Sequence, residues 1–308
     1  MATITAALVK ELRERTSAGM MDCKKALTAT DGDIEAAADW LREKGIAKAS
    51  KKSGRVASEG LIGLGQAGTT SALVEVNSET DFVALNEEFQ AMVREIADLA
   101  VDANGDVAAL ATASMGTGKN VTTSVTDLIA KIGENMNLRR TEALSVSAGA
   151  VAGYLHNGVA DRLGKIGVLV ALQSDGDADA LNDLGRKLAM HVAATAPLSL
   201  SVEDMDAAVV QKERDLLSAE ARASGKPEAI IDKMVDGRMQ KFFKESVLLN
   251  QMFVMDPDRS IAQVIADEAK SMGTVIEMTG FVRMQLGEGI EKKVEDFAAE
   301  VAATLDDA

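Results

Sequence analysis

Two stretches of this chain carry the same succession of patterns, strand, strand, helix, and that internal repeat limits the fold more than any other feature. In the first copy the runs Gly60–Leu64 and Ser71–Val76 precede a helical pattern from Asn86 to Val101. In the second, Val151–His156 and Ile166–Leu172 precede one from Ala180 to Thr195. Short apolar runs joined by polar turns read as antiparallel hairpins, and each hairpin needs a helix to cover one face. The expectation is an α+β chain whose core holds two repeated antiparallel-sheet-plus-helix subdomains, residues 56–145 and residues 146–202 with 250–286.

The copies differ where the second strand hands over to the helix. The first carries Glu79-Thr80-Asp81-Phe82-Val83-Ala84, the second Gln173-Ser174-Asp175-Gly176-Asp177. An aromatic held between two rigid elements and directed outward suits a wedge into a partner. Phe82 also keeps helical spacing with Leu85, Phe89, Met92, Val93 and Ile96, which suits the first rung of a core stripe. A purely architectural turn requires no such difference between copies, so both readings stand.

Ahead of the core, Ile4, Leu8 and Leu12 line a helix ending near Arg15, Ser17-Ala18-Gly19 breaks it, and a second pattern runs through Met21, Lys25, Ala26 and Leu27. Asp33 suits the N-cap of a third helix with Ile34, Ala38 and Leu41 on one face and Gly45 as its stop. Residues 1–55 therefore read as a three-helix bundle and linker. Met20 and Met21, placed in the loop between the first two helices, suit either a partner surface or core filling. Lys44, Lys48, Lys51, Lys52 and Arg55 read as a solvated tether, since no aromatic interleaves them.

Thr126–Arg140 reads as a further helix. Gly116-Thr117-Gly118-Lys119 lacks both the first glycine and the closing hydroxyl of a phosphate loop. Val202 to Ser224, the reversal Gly225-Lys226-Pro227, and Ile231, Val235 and Phe242 on the return read as an antiparallel coiled-coil finger over 203–249, with Met205, Val209, Leu216 and Ala219 along one side. Two copies of the chain have room to associate through it. Phe253–Pro257 re-enters the body, Ser260 caps a helix Ile261–Met272, Val275–Leu286 reads as a strand, and an amphipathic helix Ile290–Leu305 closes the 287–308 module.

The charge balance, 33 Lys and Arg against 48 Asp and Glu, would repel a phosphate backbone, and 3% aromatic content offers few rings for stacking bases. Direct nucleic-acid binding is disfavoured. A lone cysteine, Cys23, fits a reducing compartment, and neither a membrane span nor an export layout is legible, so a cytoplasmic place is expected. His156 and His191 have no cysteine nearby and read as structural. Cys23 beside Lys24 lacks a resolving partner. No pattern calls for covalent catalysis, a cofactor or a metal.

The run Ile4–Thr16 with Gly19–Leu27, Asn77–Ala84 with its Thr80-Asp81-Phe82-Val83 core, Lys165–Val170, and Gly280–Arg283 with Gly287–Lys292 together closely resemble bacterial elongation factor Ts over essentially the whole chain. The resemblance implies a nucleotide exchange factor for elongation factor Tu, with no covalent chemistry. It implies a ubiquitin-associated-like amino-terminal domain, a two-part core, a coiled-coil finger and a terminal helix that grips the partner. By the same resemblance, Asp81 and Phe82 enter the GTPase domain beside its magnesium site, with Thr80 and Val83 completing the loop. Arg13, Met20 and Met21 would meet a helix of that domain, and the region of His156 would meet the third domain. The loop Asn157–Gly164 is longer than the equivalent turn of some family members. The residues alone leave a second reading, an acidic adaptor or chaperone without exchange activity.

Overall fold

The computed structural model describes residues 4–16, 18–223 and 227–291. Its amino-terminal part is a bundle of α1 (Ala6–Thr16), α2 (Met20–Ala29) and α3 (Ile34–Lys52), closed around Leu12, Cys23, Ala26, Leu27 and Ala37. Asp33 caps α3 by accepting the Ala36 N–H at 3.0 Å. Gly45 does not stop this helix, which runs on to Lys52, so the expected tether begins as helix. Mid-helix glycine costs roughly 1 kcal/mol, and here it admits a neighbour. A Cβ on Gly45 would lie 3.2 Å from that of Ala130, in the core helix against which α3 packs.

The core follows as β1 (Glu59–Ala67), β2 (Thr70–Ser78), the single turn α4 (Asp81–Ala84), α5 (Glu87–Ala103), α6 (Val107–Thr112), α7 (Val121–Ile132), β3 (Met136–Ser145), β4 (Gly149–His156), β5 (Leu163–Gly164), β6 (Ile166–Gln173) and α8 (Ala178–Thr195). The helix expected over Thr126–Arg140 is divided. Gly133, at φ 90°, ends α7 with its N–H on the Ile129 carbonyl, and from Met136 the chain pairs with β2 as a strand. Beyond α8 come α9 (Ala207–Ala223), α10 (Glu228–Ser246), the short hairpin β7 (Met252–Phe253) and β8 (Asp256–Ser260), α11 (Ile261–Met272) and β9 (Glu277–Gln285). Ser260 and Gln263 form a reciprocal capping box at the start of α11.

The repeat is deeper than the patterns indicated, because each copy gains a third strand on the free edge of its second. One sheet runs β3-β2-β1-β5 and the other β4-β6-β9, with every pairing antiparallel. Both carry a bulge at the same place, between Glu75 and Val76 in one and between Ala171 and Leu172 in the other. Gly60 and Gly149, with φ of 122° and 109°, sit against the carbonyls of Val76 and Leu172, where a Cβ would collide. The sheets stack face to face through Ile62, Leu64, Leu73, Val151, Leu169 and Met284, while α5 covers the outer face of the first and α8 that of the second. Gly153 and Gly167 allow the close approach, since Cβ atoms there would lie 2.6 Å from Leu64 and 2.7 Å from Ile62 and Leu73.

The bulge also builds a buried charge cluster. It places Arg139 and Arg140 on one side of β3, where both reach the fully buried Glu75, at 2.9 Å and 2.6 Å. Burial alone would push this carboxyl up. Donation from the Gly287 N–H, Asn77, Arg140 and Arg139 outweighs it and holds the group below the usual carboxylate range.

The helix pair α9 and α10 packs antiparallel through Val210, Leu217, Ala221, Ile231, Val235 and Met239, with Arg214–Asp236 and Arg238–Glu220 ion pairs at its margins. On α9 the seam uses Val210 and Leu217, one residue beyond the expected Val209 and Leu216, and Ala221 in place of Ala219, leaving Val209, Leu216 and Ala219 exposed, while Met205 just ahead of the helix is buried as expected. The terminal helix expected over Ile290–Leu305 falls, past Glu291, outside the described residues.

Candidate partner-binding turn

The repeat shows what is special at the handover. Asp177, the N-cap of α8, comes five positions after Leu172, whereas Asn86, the N-cap of α5, comes ten positions after Val76. The first copy thus holds five additional residues, and they form α4 and its exit. Asn86 accepts the Glu88 and Phe89 N–H groups at 3.0 and 3.1 Å. This starts α5 afresh, so Phe82 and Leu85 precede the core stripe that Phe89, Met92, Val93 and Ile96 supply.

The core-rung reading of Phe82 fails on burial. Phe82 is 77% exposed and Leu85, also expected in the stripe, is 67% exposed, while Val83 and Ala84 between them are buried. One turn therefore divides its side chains, two inward as anchors and two large apolar ones outward, with Asp81 exposed beside them. The turn thus leaves two large apolar side chains uncovered by its own fold.

The turn is tightly held. Thr80 donates its N–H to Glu134 Oε2 at 3.0 Å and its hydroxyl to Glu134 Oε1 at 2.8 Å. Ser78 Oγ donates to the Thr80 carbonyl at 2.9 Å, and Gln90 Nε2 to that of Ala84 at 2.9 Å. Glu79 accepts the Asn135 N–H at 2.5 Å and pairs with Arg55 at 3.3 Å. Thr80 and Val83 thus face their own protein, and Asp81 and Phe82 face out. Glu79, Glu134 and Leu85 escaped the sequence reading. Leu85 was masked by its helical spacing, and Glu134 carried no local signal.

Elsewhere, Met20 and Met21 form the first turn of α2 rather than a loop, and their exposures of 60% and 64% exclude core filling. Arg13 is also exposed, on α1. His156 stands exposed at the end of β4, with Nδ1 3.1 Å from the Tyr154 hydroxyl. His191 is buried, Nε2 donating to Gln251 Oε1 at 2.8 Å and Nδ1 accepting the Val254 N–H at 3.2 Å. That fixes a neutral ring, and burial pushes its pKa down despite the Gln251 bond. Cys23 is a buried thiol 3.6 Å from the Ala18 carbonyl. Among the described residues no group of three or more His, Cys, Asp or Glu is placed to hold a metal ion, and no helix is long and apolar enough to cross a membrane.

A family model described as Elongation factor TS matches residues 79–288, well over half of the chain, beginning at the handover itself. Proteins named Elongation factor Ts are similar along their whole length. That of Rhizobium leguminosarum bv. trifolii is 60% identical over 306 residues, covering 99% of each chain. That of Rhizobium meliloti is 58% identical over 302 residues, covering 98% of each. That of Agrobacterium fabrum is 58% identical over 304 residues, covering 98% of this chain and 99% of its own.

Proposed function

The chain belongs to the elongation factor Ts family, and from that premise we propose that it is a guanine-nucleotide exchange factor that binds elongation factor Tu in its GDP form and drives GDP release during translation elongation in the cytoplasm. The observation that carries the mechanism is the exposed Phe82 on a turn whose neighbours are locked. A GTPase holds GDP through aligned backbone donors and a Mg²⁺ that bridges protein and phosphate, so a sub-ångström displacement of those elements removes contacts. Phe82 with Leu85 supplies apolar volume that packed helices accommodate by moving as units. Asp81 beside them brings negative charge to the neighbourhood of the metal and phosphates.

Arg13, Met20 and Met21 give a second contact that holds the factor in place while the turn acts, and the region of His156 gives a further one on the other subdomain. Linkage makes the exchange reversible. Whatever factor this protein removes from GDP affinity, GDP removes from its own affinity, so incoming nucleotide ejects it.

The test is release of a fluorescent GDP analogue from elongation factor Tu in a stopped-flow instrument. Release accelerated by substoichiometric protein supports exchange. Binding with an unchanged nucleotide off-rate would instead establish the adaptor reading.

A further inference from the structure

We infer that Glu134 is a positioning residue for the Asp81–Phe82 turn, acting on the partner only through the conformation of that turn; the inference rests on the exchange reading above. A four-residue helix cannot sustain itself in water, because nucleating a turn costs more than its single bond returns. Each backbone residue left free would cost about 1–2 kcal/mol to order on binding. A turn already fixed in its bound shape avoids that loss. The structure therefore has to fix it from outside.

It does so by an exchange of carboxylates between two loops 54 residues apart in sequence. Glu134 takes both the N–H and the hydroxyl of Thr80, one on each oxygen, at 3.0 and 2.8 Å. One step along each chain, Glu79 takes the N–H of Asn135 at 2.5 Å. The second loop is itself anchored. Gly133 ends α7, Lys52 donates to the Gly133 carbonyl, and Asn135 Nδ2 donates to the Arg55 carbonyl at 2.8 Å. Lys52 and Arg55 belong to the end of α3 and the segment after it, so this loop joins the amino-terminal bundle to the turn. Bonds to an ionised acceptor are the strong kind, and Thr80 immediately precedes α4. Losing this hold leaves Val83 and Ala84 as anchors but frees the direction in which Phe82 leaves the body.

The experiment is a double-mutant cycle on GDP release from elongation factor Tu, using the full chain and the variants Glu134→Ala, Phe82→Ala and the pair. Loss of charge-assisted bonds of this kind corresponds to about a tenfold slower exchange. The same replacement in the Phe82→Ala background is expected to slow exchange by less than about twofold, because there is no ring left to aim. Glu134→Gln, which keeps one acceptor oxygen, and Thr80→Val, which removes one donor, should each fall between, and they serve if Glu134→Ala folds poorly. Parent-like exchange by Glu134→Ala, or an equal loss in both backgrounds, overturns the positioning role while leaving the exchange reading intact. A silent Phe82→Ala overturns the part given to the ring and with it the positioning role, while absence of accelerated release by the parent chain is what overturns the exchange reading.

Discussion

Replacing Phe82 by alanine separates the two uses an apolar side chain can have in this protein. An enclosed phenylalanine buries roughly 150–250 Å², and Phe82 is 77% exposed, so about 150 Å² is available to a partner. Alanine would retain about a third of that contact, leaving about 100 Å² lost, or about 2.5 kcal/mol at ~25 cal/mol per Å². If that area is covered when GDP leaves, Phe82→Ala slows factor-driven release about 60-fold. Folding should hardly change, within about 0.5 kcal/mol, because the ring contacts little of its own chain. Phe89→Ala, seven residues on and wholly buried, gives the opposite outcome, about 3–5 kcal/mol of lost stability. The assays are stopped-flow nucleotide release and denaturant unfolding on the same preparations. An exchange rate for Phe82→Ala within twofold of the parent, or a stability loss approaching that of Phe89→Ala, would show that the ring does not act on the partner.

Two further outcomes concern the scaffold. His191 is held neutral in the fold, its pKa below the ordinary 6.5, so between those two values the unfolded chain binds the extra proton. Stability is then full above about pH 6.5 and falls as pH drops through that window; urea midpoints at pH 7 and pH 5.5 should differ less in His191→Gln than in the parent. Gly65 lies where a Cβ would strike the Ala97 carbonyl of α5, so Gly65→Ala should lose about 1–3 kcal/mol or more by driving the helix off its sheet, read as a lowered urea midpoint.

The repeat was legible because its strands are continuous apolar runs and its helices begin at side-chain caps, both signals carried by a few adjacent residues. Gly45 misled because glycine serves equally to end a helix and to admit a neighbouring one, and only the position of Ala130 decides between them. The α9 seam was off by one for a related reason. Val209 and Val210, and again Leu216 and Leu217, are adjacent apolar pairs, and either register satisfies the spacing. At the turn, Phe82 stood out through the mismatch between copies, but its direction did not, since helical spacing continues into α5 until Asn86 interrupts it. Glu134 was invisible because a bond across 54 residues leaves no local pattern.

That the Phe82 ring is carried outward into the nucleotide-binding domain of another protein can be tested at the ring itself. A photoreactive benzoyl-phenylalanine placed at position 82 and irradiated with nucleotide-free elongation factor Tu should form a crosslink to that GTPase domain, and added GDP should suppress it. Efficient complex formation with no crosslink to the partner, or with a crosslink confined to the factor's own chain, would contradict the account.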